Sequence, residues 1–340
     1  MPPTSPLSQK LDGQPAGGRS ALRTWLVRGL ILILVFSIGL NLWMLGSYEE
    51  YYSNSNPPRE RYHSGDRLAV DKLAVIEVSG TIMPPFTERI LKAIERAADD
   101  EQVKGVLLSV DSPGGLVADS HQIYHRLREL NAVKPVFVSM KRMAASGGYY
   151  IAMGAGLEGK IYAEPTTWTG SIGVIIPRWD MSGLADKFGV RPASLKTGPF
   201  KDALNPLKEL SAEEQAVWDA ILADSFDRFV GVISENRRGL DDAAVRSLAT
   251  GQVYTADQAL ELKLVDEIGF EEDALKALQE QAGLEQARVI SYESPVGLAD
   301  LLLGQAEATS PATIWQELLE TSVPRAMYYC SGMPGLLSGR

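Results

Sequence analysis

The sequence predicts an α/β fold with a mainly parallel sheet, preceded by one membrane-spanning helix. Three observations predict it. Short β-branched runs alternate with longer stretches of helical period, those runs are apolar throughout rather than at every second residue, and one long uncharged stretch stands near the N-terminus. Alternating strands and helices argue for βαβ units, and strands apolar on both sides argue for a sheet covered on both faces. At 340 residues the chain exceeds the length, about 250–300, at which single cores stop growing, so one sizeable unit with appendages is expected. A formal net charge of −10 with no basic face argues against nucleic acid as a partner. The single cysteine, Cys330, excludes an intrachain disulfide and a cysteine-based zinc cluster.

Residues 1–24 are rich in Pro, Ser, Gly and Gln at their start and are expected to be a disordered cytoplasmic segment. Residues 25–46 form the expected membrane anchor: from Gly29 to Gly46 the only polar side chains are Ser37 and Asn41, and a span needs about 17–25 residues. Lys10, Arg19, Arg23 and Arg28 precede the run, whereas Glu49 and Glu50 follow it. The positive-inside rule then puts the N-terminus in the cytoplasm and the rest outside. A cleaved signal peptide is the rival reading, but the run is long and no clear cleavage site follows. Residues 47–68 read as a polar linker and 69–293 as the catalytic domain.

Within that domain, strands are expected at 73–80, 103–110 and 136–140, and helices at 86–100 and 117–130. Further strands are expected at 160–164, 170–176 and 191–197, with a short helix near 184–188. A long helix opens at Ser211, where Leu210-Ser-Ala-Glu-Glu214 reads as a capping box, and runs to about Arg237. Two helical pieces and a strand near 289–292 follow. Residues 294–340 form an extension of unassigned role. Its apolar stretch at 327–337 is too short to cross a bilayer, which leaves packing on the domain, filling a groove or disorder.

The candidate nucleophile is Ser146, in Met143-Ala-Ala-Ser-Gly-Gly-Tyr-Tyr-Ile-Ala152 between a buried strand and a helix start. Helix N-termini present unpaired N–H groups and a positive dipole end, which suits a nucleophile, and the glycines that follow admit a close substrate backbone. The same position suits an N-cap serine, and the stretch alone leaves both readings open. Only three histidines occur, His63, His121 and His125; the last two share a helix face but lack a third ligand motif, and nothing marks an acidic partner for a triad. No metal is expected. A serine without histidine needs another base, and a lysine serves when it is uncharged. Lys160, Lys187, Lys196, Lys201 and Lys208 are candidates, and Lys201 stands out for its Gly/Pro-punctuated loop. Glycines on tight turns supply N–H donors to an oxyanion; Asp111-Ser-Pro-Gly-Gly115 suits that role, or a plain strand-to-helix turn. In Thr169-Gly-Ser-Ile-Gly173, Ser171 offers a hydroxyl that holds a lysine or simply starts a strand.

Five segments occur in order: DSPGG at 111–115, AASGGYYIA at 144–152, WTGSIGV at 168–174, GPFKDALNP at 198–206 and GQVYTADQALELKLVDEIG at 251–269. Together they closely resemble the signal peptide peptidase A family of membrane-bound Ser/Lys peptidases, over roughly residues 73–284. The resemblance implies a ClpP/crotonase-like repeated ββα superhelical core. It implies Ser146 as nucleophile, Lys201 as general base, Ser171 as the hydroxyl positioning the lysine, and Gly114 and Gly147 as oxyanion donors. It further implies no cofactor, peptide substrates such as signal peptide remnants, and a bacterial inner-membrane site with the catalytic domain on the periplasmic side. One repeat rather than two makes the chain resemble the short form, which implies a ring-like homo-oligomer sharing its dyad between protomers. The alternatives are a crotonase-type acyl-thioester enzyme, which the anchor disfavours, and a catalytically silent scaffold, which an intact Ser146 and Lys201 disfavour.

Overall fold

The apolar N-terminal stretch lies inside one long helix, α1 (Gly18–Ser53). The structure, a computed structural model, describes residues 18–53, 58–293 and 327–329. Within α1, Trp25–Trp43 is long and apolar enough to cross a bilayer, about 28 Å at 1.5 Å per residue. The helix starts earlier and ends later than the expected anchor: 18–24 are not irregular and 47–53 are not linker. Both flanks lack proline, and the first prolines after the anchor stand at 57 and 58. Residues 1–17 and most of 294–340 lie outside the described residues. Helix α1 and the remainder of the described chain belong to separate units.

The second unit begins with β1 (Arg59–Gly65), β2 (Lys72–Ser79), α2 (Phe86–Asp99), β3 (Val103–Ser112) and β4 (Gly114–Leu116). Then come α3 (Val117–Asn131), β5 (Val136–Ala145), α4 (Gly147–Ala152), a 3-10 turn at Met153–Ala155, β6 (Ile161–Ala163) and β7 (Trp168–Gly170). It continues with α5 (Ser182–Lys187), α6 (Ala212–Asn236), α7 (Asp242–Leu248), β8 (Val253–Thr255), α8 (Ala256–Glu261) and β9 (Glu267–Ile268). The last elements are α9 (Glu271–Gln281), β10 (Arg288–Glu293) and β11 (Met327–Tyr329).

The main sheet runs β1-β10-β2-β3-β5-β6-β9, with β7 beside β5 and β8 beside β7, and is parallel except where β1 meets β10 and β7 meets β8. Its strands bury both faces, which is why they read as unbroken apolar runs. Leu73 and Val75 of β2, Leu107 of β3 and Phe137 of β5 pack with Leu275 and Leu278 of α9. The intervening Ala74, Ile76, Val106, Leu108, Val136 and Val138 face the larger cluster under α2, α3 and α6. Each fully buried Leu, Ile or Val contributes about 1.5–3 kcal/mol, so the two layers fix the register of β2, β3 and β5. On α2, Ile90, Ala93, Ile94 and Ala97 are buried, while Phe86 at the first position stays half-exposed. The box at α6 forms as expected: Glu214 N–H donates to Ser211 Oγ at 3.2 Å and Ser211 N–H to Glu214 Oε2 at 3.0 Å.

Three expected elements differ. Residues 59–65, expected in the linker, form β1 because β10 offers it an antiparallel edge from Arg59↔Glu293 to Gly65↔Arg288. That pairing joins residues more than two hundred apart and leaves no local trace. The strand expected at 170–176 stops at Gly170, where a positive φ of 80° turns the backbone. Residues 191–197 form no strand and are exposed, with no neighbour to receive them.

Candidate active site

β5 divides its partners. Val138–Met140 pairs with β6, and Met143–Ala145 pairs with β7. The shift turns the end of β5 toward β4 and α3, and Ser146 alone makes the turn into α4. Its backbone has φ 54° and ψ −113°. A side chain held there costs of order 1–3 kcal/mol and persists only where its surroundings over-determine it. Here they do: Ser146 N–H donates to Gly170 O at 2.7 Å, and Ser146 O accepts from Tyr150 N–H at 2.8 Å. The hydroxyl makes no cap bond to α4, which removes the N-cap reading. Oγ is buried with no hydrogen-bond partner, a state that costs about 1–3 kcal/mol and that stability alone does not favour.

The glycines after Ser146 serve the protein's own packing. A Cβ on Gly147 would stand 2.6 Å from Ser120 Oγ, 3.0 Å from Gly115 N and 3.1 Å from Gly114 Cα; one on Gly148 would stand 2.8 Å from Ser112 O. The elbow is therefore pressed against the DSPGG turn. Gly114 adopts φ 105°, and its N–H donates to Ser112 Oγ at 3.1 Å. Ser112 and Ser120, both fully buried, were not singled out from the sequence. Ser112 belongs to a marked motif, but Ser120 gives no signal beyond its place on the inner face of α3.

Ser171 directly follows Gly170, whose O accepts the Ser146 N–H. β7 is parallel to β5 with Ala145 opposite Gly170, the last residue of each strand, and each is followed by a serine at the turn. Ser171 too has a positive φ, 49°, and its N–H donates to Gln252 O at 2.7 Å. Both serines are buried.

Lys201 is exposed on the loop before α6, and no hydrogen bond joins it to Ser146 within one chain. Its loop is anchored by its neighbours. Asp202 bonds Lys196 Nζ at 2.6 Å and Lys208 Nζ at 3.1 Å, and Ala203 is buried. The Lys196 contact, aided by Lys208, pulls the Asp202 carboxyl down to about 2. Trp179, Phe188, Leu195 and Phe200 between β7 and α6 expose large apolar side chains.

The histidines stand elsewhere. His121 Nδ1 lies 2.7 Å from Tyr150 OH, and burial, then Arg228 and His125, lowers its pKa. His125 is exposed beside Glu129, and His63, in β1 rather than a linker, lies 3.1 Å from Glu271. Among the described residues no three His, Cys, Asp or Glu side chains are grouped to hold a metal.

Residues 128–285 match the model of peptidase family S49. An Enterococcus faecium protein named "Putative signal peptide peptidase SppA" is 38% identical over 258 residues, covering 72% of this chain and 74% of that protein. The chain belongs to the signal peptide peptidase A family, peptidase family S49. Haemophilus influenzae Protease 4, another relative, is 35% identical over 62% of this chain and 35% of its own length. A chloroplastic serine protease SPPA of Arabidopsis thaliana is 28% identical over 70% of this chain and 36% of that one. Among solved structures, a membrane-bound stomatin-specific protease matches at 17% identity and TM-score 0.42, covering 62% of this chain and 86% of that one. ClpP1 of Listeria monocytogenes matches at 16% identity and TM-score 0.41, covering 59% and 94%. As an S49 member the chain is a serine peptidase.

Proposed function

We propose that this S49 peptidase hydrolyses signal peptide remnants and similar apolar peptides at the inner membrane, with Ser146 as nucleophile and Lys201 as base. The buried, unpartnered Ser146 hydroxyl at a positive-φ elbow carries the reading. A strained strand-to-helix turn that leaves a hydroxyl without a structural bond is what a nucleophile needs. An uncharged lysine amine takes the Ser146 proton as Oγ attacks the peptide carbonyl. The acyl-enzyme forms as the amine leaves with that proton, and water then hydrolyses the ester. N–H groups of Gly114 and Gly147 stabilise the negative oxygen, and for this Gly114 must exchange its bond to Ser112 Oγ for one to the oxyanion. Ser171 holds the amine toward Ser146.

Amines act as bases only when uncharged, and burial favours that form. Lys201 is exposed in the single chain, so the reading requires a neighbouring copy to bury it against Ser146. The exposed apolar side chains flanking its loop support such a contact and a homo-oligomeric ring. Helix α1 anchors the enzyme with residues 1–24 cytoplasmic and the catalytic domain, residues 69–293, on the periplasmic side.

A fluorophosphonate probe and a complementation assay test this. Full-length wild type in detergent should label and cleave a fluorogenic peptide, whereas Ser146→Ala and Lys201→Ala should do neither. Mixed before assembly, the two inactive variants should regain activity, because a heteromeric contact joins an intact serine to an intact lysine. Full labelling of Lys201→Ala would remove Lys201 as base. Activity lost in both variants with no recovery on mixing would remove the shared site.

A further inference from the structure

Helix α4, which follows the elbow, has six residues, fewer than two turns. A helix that short does not hold itself, so its place is set by what its buried side chains grip. Tyr149 and Tyr150 supply that grip. Tyr149 OH donates to Leu264 O at 2.8 Å. Tyr150 packs edge-on against Tyr124 of α3 and Phe229 of α6, with ring centroids 5.5 and 5.0 Å apart. Tyr124 is held in turn, since Asn236 Nδ2 donates to its hydroxyl at 3.0 Å. The Tyr150 hydroxyl lies 2.7 Å from Nδ1 of His121 on α3.

Tyr150 also closes the elbow. Its N–H donates to Ser146 O at 2.8 Å, one of the two backbone bonds that hold Ser146 at φ 54°. A shift of Tyr150 therefore reaches the Ser146 torsions through a single hydrogen bond. The Tyr150 side chain is fully buried, and a buried phenol needs an acceptor for its proton. An imidazole accepts only through an unprotonated nitrogen. Burial, then the charges of Arg228 and His125, lowers the His121 pKa and favours the neutral ring. With the ring proton on Nε2, Nδ1 accepts from the Tyr150 hydroxyl.

We infer that His121 is a positioning residue for Ser146: its Nδ1 holds the Tyr150 hydroxyl and, through Tyr150, keeps the elbow in the torsions that aim the nucleophile. The inference rests on Ser146 as the nucleophile and adds to that reading a residue outside the dyad on which the aim depends. His121 itself touches neither substrate nor reacting atoms. The plain alternative is a bond that only helps α3 and α4 pack. The two differ in what its removal changes. Lost packing lowers the stability of the fold, whereas a tilt of α4 slows the protein that remains folded. A misplacement of 1 Å costs up to about 10²-fold in rate, so a fraction of that at the elbow is measurable in kcat.

His121→Leu and His121→Asn in the full-length detergent-solubilised protein test it, assayed well below Tm. Leucine keeps bulk and removes the acceptor, whereas asparagine returns an amide oxygen near the place of Nδ1. With a fluorogenic peptide, His121→Leu should lower kcat about tenfold at unchanged KM, and His121→Asn should stay within about twofold of wild type. Tyr150→Phe deletes the hydroxyl and keeps the ring, so it should show the same loss. The double variant His121→Leu/Tyr150→Phe should lose no more, because both changes remove one bond. A second readout avoids catalysis. Amide hydrogen exchange over residues 146–152 should be about fivefold faster in His121→Leu, the equivalent of one hydrogen bond, and normal in His121→Asn. Faster exchange with kcat unchanged would make the bond structural only and overturn the inference. Losses that multiply in the double variant, or no change in either readout, would overturn it too. If His121→Leu does not fold, Tyr150→Phe carries the same comparison. A wild type that takes no fluorophosphonate and cleaves nothing would sink the serine reading, and this inference with it, before any His121 variant is compared.

Discussion

Gly147→Ala tests whether the elbow is pressed against the turn that faces it. The added Cβ would stand 2.6 Å from Ser120 Oγ, closer than side chains tolerate, and about 3.0 Å from the backbone of Gly114–Gly115. Overpacking of this kind costs about 1–3 kcal/mol. At about 2–4 °C per kcal/mol for a domain of this size, Tm should fall by roughly 2–12 °C. Ser120 Oγ has no hydrogen-bond partner, so Ser120→Ala removes the tightest contact without breaking a bond, and alone it should be neutral or slightly stabilising. The double variant should recover part of the loss, with a coupling of about 0.5–3 kcal/mol; contacts to the backbone of Gly114 and Gly115 keep the rescue incomplete. Tm by fluorescence on the full-length protein, with fluorophosphonate labelling alongside, reads the cycle. Strict additivity of the two substitutions would show that Gly147 and Ser120 do not meet, and the packing described for the elbow would be wrong.

Arg237→Ala should destabilise the fold by about 3 kcal/mol and lower Tm accordingly, because the buried guanidinium bonds Lys263 O and both oxygens of Asp266, which would keep only the Ile161 N–H; labelling at low temperature should persist. Asp202→Asn should reduce kcat without a change in Tm, since it weakens the ties to Lys196 and Lys208 that hold the Lys201 loop; unchanged kcat would detach that loop from catalysis. Burial alone would raise the Glu271 carboxyl, but hydrogen bonds from Ser109 and Lys141 and the nearby His63 outweigh it and lower the pKa below 4.5. Its contribution is therefore present above about pH 4.5 and lost as pH falls further, so Glu271→Gln should flatten the acid limb of a Tm–pH profile; an unaltered limb would contradict this.

The strands at β2, β3 and β5 were legible because both faces are buried and leave continuous apolar runs. The box at α6 was legible because capping is chemistry between residues three apart. Ser146 was legible as a candidate, but its choice between cap and nucleophile was not, since that depends on a φ of 54° imposed by Gly170 and Tyr150. The pairings β1 with β10 and β4 with β11 were hidden for a shared reason: each joins distant segments, and neither β1 nor the tail carries an alternating pattern. The glycines after Ser146 were read as room for a ligand, whereas two of the protein's own oxygens, Ser120 Oγ and Ser112 O, already need that room.

The carbonyl of Gly170 that receives the Ser146 N–H belongs to β7, and β7 is itself flanked by β8, more than eighty residues further along the chain. A newly made polypeptide thus has its elbow residue early but the strand that braces the clamp late. Until that clamp docks, the residue relaxes to ordinary torsions and the hydroxyl is aimed at nothing.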